Sequence, residues 1–206
     1  MAKIETLFVT KVYRSELEGA GRRRMLATLE AACRSIAEDD AAGQAWCAAN
    51  DYPGYTSYAS LDDLTARFPE LGDLSAWIEP HVGAFARELD LDLGGRPLRL
   101  DSLWINVLAS GGYHTAHIHP HSVVSGTFYV AVPKGASALK LEDPRLAMMM
   151  AAPPRRARAA RESLSFVSLE PRPGTLLLWE SWLRHEVPVN HADAERISVS
   201  FNYRWG

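Results

Sequence analysis

Residues 196–205, Arg-Ile-Ser-Val-Ser-Phe-Asn-Tyr-Arg-Trp, alternate polar and apolar side chains without a break. A period of two is the spacing of a β-strand, in which successive side chains leave opposite faces. Arg196, Ser198, Ser200, Asn202 and Arg204 therefore share one face, and Ile197, Val199, Phe201, Tyr203 and Trp205 share the other. The alternation leaves two arrangements open. Either the polar face meets solvent, or it points inward and brings a guanidinium with it. An inward Arg196 would be costly unless it met an anion. A bound carboxylate would supply that anion through paired, charge-assisted hydrogen bonds.

Upstream, residues 98–108, 126–132, 164–169 and 175–179 also read as strands. Gly111-Gly112, Pro120, Pro133, Pro173-Gly174 and Pro188 punctuate them. Many short strands with no helix between them favour a sandwich, a barrel or a jelly roll. Before residue 96 the character is different. Residues 4–13 read as a strand. Residues 15–37 carry Leu17, Met25, Leu26, Leu29, Cys33 and Ile36 at helical spacing, and residues 74–90 form a second amphipathic pattern that ends before Gly94-Gly95. The stretch 39–60 reads as irregular, and Ser60-Leu-Asp-Asp as the serine-capped start of a short helix. The expectation is one domain over 1–206, mainly β, with a strand and supporting helices in 1–95 and the β core in 96–206. Residues 145–162 form a connection too long for a turn, which reads as a lid-like binding loop or as a solvated basic loop. Its arginines at 155, 156, 158 and 161 are placed to attract an anionic substrate.

Composition sets the outer bounds. A chain of 206 residues with 47% hydrophobic content can bury a core without disulfide support, which excludes a disordered or disulfide-built chain. A net charge of −3 gives no global attraction to nucleic acid or to an anionic membrane. Cys33 and Cys47 stand outside any C-x-x-C spacing and read as inert thiols of a reducing, cytoplasmic compartment. The first residues lack the apolar centre of a signal peptide, and no apolar run approaches the roughly 20 residues that span a bilayer.

Histidine is distributed unevenly. Of seven histidines, four lie between 114 and 121. On a strand, His117 and His119 would leave the same face, with Pro120 ending regular pairing, so the pair sits at a strand end where a metal site can stay open. The plainer alternative is a polar histidine rim. A third ligand has to come from elsewhere. His185, directly after Thr175-Leu-Leu-Leu-Trp-Glu-Ser-Trp-Leu-Arg, is the candidate; His191, in a polar turn, reads as solvated.

These runs together resemble a known family. His117-Ile-His119-Pro-His-Ser-Val-Val-Ser-Gly126-Thr-Phe-Tyr129, Glu142-Asp-Pro-Arg145, Pro173-Gly174 through His185-Glu-Val, and Arg196-Ile-Ser198-Val-Ser-Phe-Asn202 are similar to small bacterial proteins classed as 2-oxoglutarate- and Fe(II)-dependent oxygenases. The tail also resembles the aspartyl/asparaginyl β-hydroxylases. The resemblance implies a double-stranded β-helix, the cupin-like jelly roll. It implies Fe(II) held by His117, His119 and His185, and 2-oxoglutarate held by Arg196 with Ser198 and Tyr129 beside it. It thereby favours the inward face of the last strand. Trp104, Asn106, Trp182 and Asn202 are weaker candidates for a substrate pocket.

One departure stands out. The wider superfamily usually reads His-x-Asp/Glu…His, whereas His119 takes the acid's place here, leaving the metal at formal +2 rather than +1. Asp143 is the alternative source of a carboxylate. The implied activity is hydroxylation of a small-molecule or peptidyl substrate with O2, releasing succinate and CO2, without nucleic-acid or membrane partners and with a homodimer open. The rivals are a cupin-like three-histidine metalloenzyme that does not use 2-oxoglutarate, and a non-catalytic jelly-roll metabolite-binding protein.

Overall fold

In the computed structural model, which describes all 206 residues, the alternating run forms the strand β10 (Arg196–Trp205). It pairs antiparallel with β3 (Leu98–Leu108) on one side and β5 (Val124–Ala131) on the other. β8 (Thr175–Glu180) and β1 (Val12–Glu16) extend the sheet past β5, and β2 (Gly54–Thr56) closes the opposite edge. A second antiparallel sheet has the order β4 (His114–His117), β9 (His185–Val187), β6 (Leu139–Glu142), β7 (Phe166–Leu169). Leu139, Leu141 and Val187 of the small sheet pack against Tyr129, Leu177 and Trp179 of the large one. Two facing antiparallel sheets of this kind make a double-stranded β-helix, the jelly-roll variant of the expected all-β section.

The large sheet has an apolar face on each side of very different use. Ile105, Phe128, Leu178, Val199 and Phe201 point away from the small sheet and join the larger core. Left in water, each would forfeit about 1.5–3 kcal/mol. The N-terminal helices cover them. α1 (Arg22–Asp39) buries Leu29, Cys33 and Ile36, and α4 (Pro69–Glu88) buries Leu71, Leu74, Ile78, Val82 and Phe85, each set a single helical stripe. Both cysteines are buried and unpaired, and burial pushes the Cys33 thiol up to about 12, which suits an unreactive side chain.

The N-terminal third departs from expectation in several places. Residues 4–11 are not a strand. β1 begins only at Val12, opposite Trp179, because β8 ends one residue later and leaves earlier residues no backbone to pair with. Ser15 and Glu16 belong to β1, and Gly19, at φ 92°, turns the chain before α1 starts at Arg22. Residues 39–60 are not irregular throughout: they contain α2 (Ala41–Ala49) and β2. Ser60 caps no helix; its hydroxyl donates to Asp40, and the short α3 (Leu64–Arg67) starts after Asp63. No helix is long and apolar enough to cross a membrane.

Asp40 holds this segment together. Its carboxylate accepts from the Gly43 amide at 3.0 Å at the start of α2, from the Tyr55 hydroxyl at 2.7 Å, and from Ser60. Burial works to raise its pKa, but these hydrogen bonds outweigh it and hold the carboxyl below its ordinary 3.8. Asp40→Ala is expected to destabilise the fold by about 1–3 kcal/mol, a fall of several degrees in Tm by thermal circular dichroism. Because the native pKa is depressed, this contribution is present above pH 3.8 and is lost as pH falls through the lower native value, so the wild-type and variant curves converge there.

Candidate active site

The polar face of β10 turns inward and forms the floor of a cavity of about 310 Å3. The floor is cross-linked. Asn106 Nδ2 of β3 donates to Ser200 Oγ at 3.2 Å, and the Ser200 and Thr127 hydroxyls are 3.0 Å apart. Asn202 Nδ2 donates to Ser102 Oγ at 3.2 Å while its Oδ1 accepts from Ser125 at 2.8 Å. Only Arg204, at the far end, is exposed, where it pairs with Asp101.

Strand register brings the histidines together. β4 and β9 pair so that His117 lies directly opposite His185. β4 ends at His117, so His119 lies beyond the strand; its amide donates to the Ser181 carbonyl, and its ring still turns back to the pair. The donor atoms of His117, His119 and His185 lie within 4.8 Å of one another, and the Nε2 atoms of His119 and His185 are 3.2 Å apart. Two imidazole nitrogens at right angles about 2.1 Å from one metal would be about 3.0 Å apart. His117 Nδ1 donates to the Thr115 carbonyl at 2.6 Å and His185 Nδ1 to the Leu183 carbonyl at 2.8 Å, which leaves each Nε2 with its lone pair. Burial pushes His185 down to about 3 and His119 down to about 4, with His117 adding to both, so these rings are neutral at ordinary pH.

Arg196 is buried in the same cavity at 2% exposure. Its one side-chain partner is Ser198 Oγ at 3.4 Å, its guanidinium lies 4.8 Å from the centre of the Tyr129 ring, and no carboxylate pairs with it. Arg196 Nε, the Tyr129 hydroxyl and Trp179 Nε1 are buried without a hydrogen-bond partner. A buried, unpaired guanidinium beside the orphaned Tyr129 hydroxyl is several kcal/mol unfavourable unless an anion meets it. The donor set therefore fits a metal chelated by a small dicarboxylate: neutral imidazoles with the Trp179 indole beside His185 at one end, a planar cation and the Tyr129 hydroxyl at the other.

The sequence candidates distribute as follows. Trp104, Asn106, Tyr129, Ser198 and Asn202 line the cavity. Trp182 does not: it sits in the turn after β8, 47% exposed, pointing out of the fold. Asp143 is no source of a metal carboxylate here, because Arg145 grips it through Nε at 2.9 Å and Nη2 at 2.8 Å. No residue of 145–162 lines the histidine cavity. Arg145, Arg155 and Arg161 border a separate cavity of about 800 Å3 between that loop and the N-terminal segment, so neither a lid over the site nor an anion trap at its mouth is built from them. His191 is exposed, as expected.

Several cavity residues were not among the sequence candidates, notably Trp46, Tyr52, Tyr58 and His114. The Tyr52 hydroxyl is 2.8 Å from His114 Nε2. Burial, with Arg196 nearby, pushes His114 down to about 3, and burial pushes the Tyr52 phenol up, so both are uncharged. The aromatic density of 46–58 was the available signal, hidden by reading that stretch as irregular.

Residues 102–202 match the sequence family described as "Putative 2OG-Fe(II) oxygenase". The chain is similar over this segment, just under half of its length, to that oxygenase family. It is an enzyme dependent on Fe(II) and 2-oxoglutarate. Its fold is shared with the epimerase SnoN from nogalamycin biosynthesis (TM-score 0.64, 15% identity, 95% of this chain and 76% of that one). It is shared also with EctD from S. alaskensis (0.63, 16%, 95% and 73%) and a Pseudomonas putida prolyl-4-hydroxylase (0.55, 14%, 95% and 93%). SnoN is known in complex with Fe3+, α-ketoglutarate and nogalamycin RO, and EctD with 2-oxoglutarate and 5-hydroxyectoine. No curated protein matches the oxygenase in sequence. The likeness of its tail to the aspartyl/asparaginyl β-hydroxylases finds no support in these comparisons.

Proposed function

We propose that the oxygenase hydroxylates a C–H bond of a small molecule, with His117, His119 and His185 as the iron ligands and Arg196, assisted by Ser198 and Tyr129, as the clamp for 2-oxoglutarate. In balance, R–H, O2 and 2-oxoglutarate give R–OH, succinate and CO2. The observation that carries this reading is the pairing, in one cavity, of three converging imidazoles with a buried guanidinium that has no anionic partner. Bound Fe(II) supplies the activation of O2, and 2-oxoglutarate supplies two electrons as it is decarboxylated.

The chain's own contribution is binding and orientation. The Thr115 and Leu183 carbonyls fix the tautomer and tilt of His117 and His185. Arg196 offers a planar fork that matches one carboxylate, so the diacid would bind in one direction. Tyr129, fully buried, walls this end from water and presents a hydroxyl with no other partner, while the buried Trp179 does the same with its indole N–H beside His185.

Tag-free protein, purified without oxygen and mixed with Fe(II), 2-oxoglutarate and O2, is expected to form succinate slowly even without a substrate. Calorimetry on the metal-loaded protein should show 2-oxoglutarate binding that depends on the metal. Stoichiometric metal uptake without any affinity for 2-oxoglutarate would instead support the three-histidine metalloenzyme. Failure to take up metal would remove the assignment of the ligands.

A further inference from the structure

If Arg196 serves the co-substrate, as the reading above has it, no other formally charged side chain lines the cavity: Asp, Glu and Lys are all missing from its wall. Its polar floor is already bonded to itself through Asn106, Ser200 and Thr127. Of the buried polar atoms without a partner, those of Arg196, Tyr129 and Trp179 lie in the cavity and that of Ser137 outside it, and a diacid gripped by Arg196 would meet the neighbouring Tyr129 hydroxyl as well.

What the cavity offers beyond that is aromatic. Tyr58 and Trp104 meet edge to face with ring centres 5.2 Å apart, and Trp46 and Tyr52 lie 6.4 Å apart at 53°. Trp104 also lies 5.8 Å from His119, so the aromatic surface runs up to the histidine cluster. Trp46, Tyr58 and Ile118 are 37%, 62% and 44% exposed, yet all three line this one cavity. Single exposed apolar residues are ordinary; several around one concave opening mark a surface that a ligand covers. A charged group placed there would lose hydration without gaining a counter-ion. Iron(II), a 2-oxoglutarate dianion and Arg196 would together leave one positive charge, which disfavours a cation further, while an anion would find the iron and Arg196 already engaged by the diacid.

We propose that the substrate carries an uncharged aromatic ring, received by the Tyr58–Trp104 and Trp46–Tyr52 pairs. Selectivity for the ring then comes from the N-terminal segment carrying α2 and β2, while the jelly roll carries the iron and co-substrate site. The narrow volume restricts entry to one ring or to a ring at the end of a larger molecule.

Three probes with the same ring and different charge test this: phenylacetamide, phenylacetate and phenethylamine. Binding is measured by calorimetry on the full chain with Mn(II) and the inert 2-oxoglutarate analogue N-oxalylglycine already bound, so that phenylacetate cannot take the Arg196 position. The neutral probe is expected to bind about tenfold or more tighter than either ion. Trp46→Ala and Tyr58→Ala should each weaken it about three- to tenfold, the range of one lost aromatic contact. Trp205→Ala, at an exposed tryptophan outside the cavity, should leave it unchanged. Equal or tighter binding of an ion, no saturation by the neutral probe at millimolar concentration, or indifference to both cavity variants would overturn the proposal. N-oxalylglycine is titrated first and alone; its failure to bind would overturn the 2-oxoglutarate reading itself and the substrate class with it.

Discussion

Arg196→Ala is expected to weaken 2-oxoglutarate binding by about 10²–10³-fold without destabilising the protein. Removing one partner of a buried, hydrogen-bonded charge pair weakens binding by about 3–4 kcal/mol, which is that factor in Kd. In the free protein the same guanidinium has no carboxylate partner and an orphaned Nε, so alanine removes an unfavourable burial rather than a stabilising contact. The two effects have opposite signs, and that separates a co-substrate clamp from a structural arginine. Calorimetry with 2-oxoglutarate and thermal unfolding of the metal-free protein read them independently. Arg196→Lys should fall between, because an ammonium keeps the charge and loses the fork. A large fall in Tm with unchanged 2-oxoglutarate affinity would reverse the assignment.

His185→Ala is expected to reduce succinate formation to background and to abolish stoichiometric metal uptake. His185 is the most buried of the three rings, and His117 faces it across the β4–β9 ladder. Its loss leaves two donors and removes the Leu183-oriented imidazole that holds the inner side of the cluster. Metal affinity falls by orders of magnitude when a ligand is deleted, and even loss of an orienting partner lowers it about 10–100-fold. The variant can be checked for folding by its far-ultraviolet circular dichroism and Tm; the near-ultraviolet signal cannot serve, because Trp179 packs on the deleted His185 ring at 4.7 Å. His119→Asp, by contrast, keeps a donor in place and should retain turnover. A His185→Ala enzyme that decarboxylates 2-oxoglutarate at the wild-type rate would exclude His185 from the site.

The legible parts of this protein were the periodic ones. β3 and β10 were read to the residue, because strict alternation is a property of the strand itself. β4, β6 and β9, three or four residues each, carry too little pattern to stand out and exist because neighbouring strands supply their hydrogen bonds. α2 was overlooked because Gly43 and the scatter of Ala and Gln give no apolar stripe, although Asp40 before an alanine-rich run was a usable capping signal. Trp182 illustrates the opposite error: a tryptophan near a ligand in sequence was taken for one near it in space.

By itself the sequence determined that a β-rich core would carry a His117-x-His119 pair, a distal His185 and an alternating strand headed by Arg196, since spacing and periodicity are local. Only the tertiary structure decided that β10 presents its polar face inward, that His117 meets His185 across a ladder, and that an N-terminal segment supplies the aromatic wall. Those outcomes depend on register and on which apolar surface the helices cover, and both are settled by contacts between residues far apart in the chain.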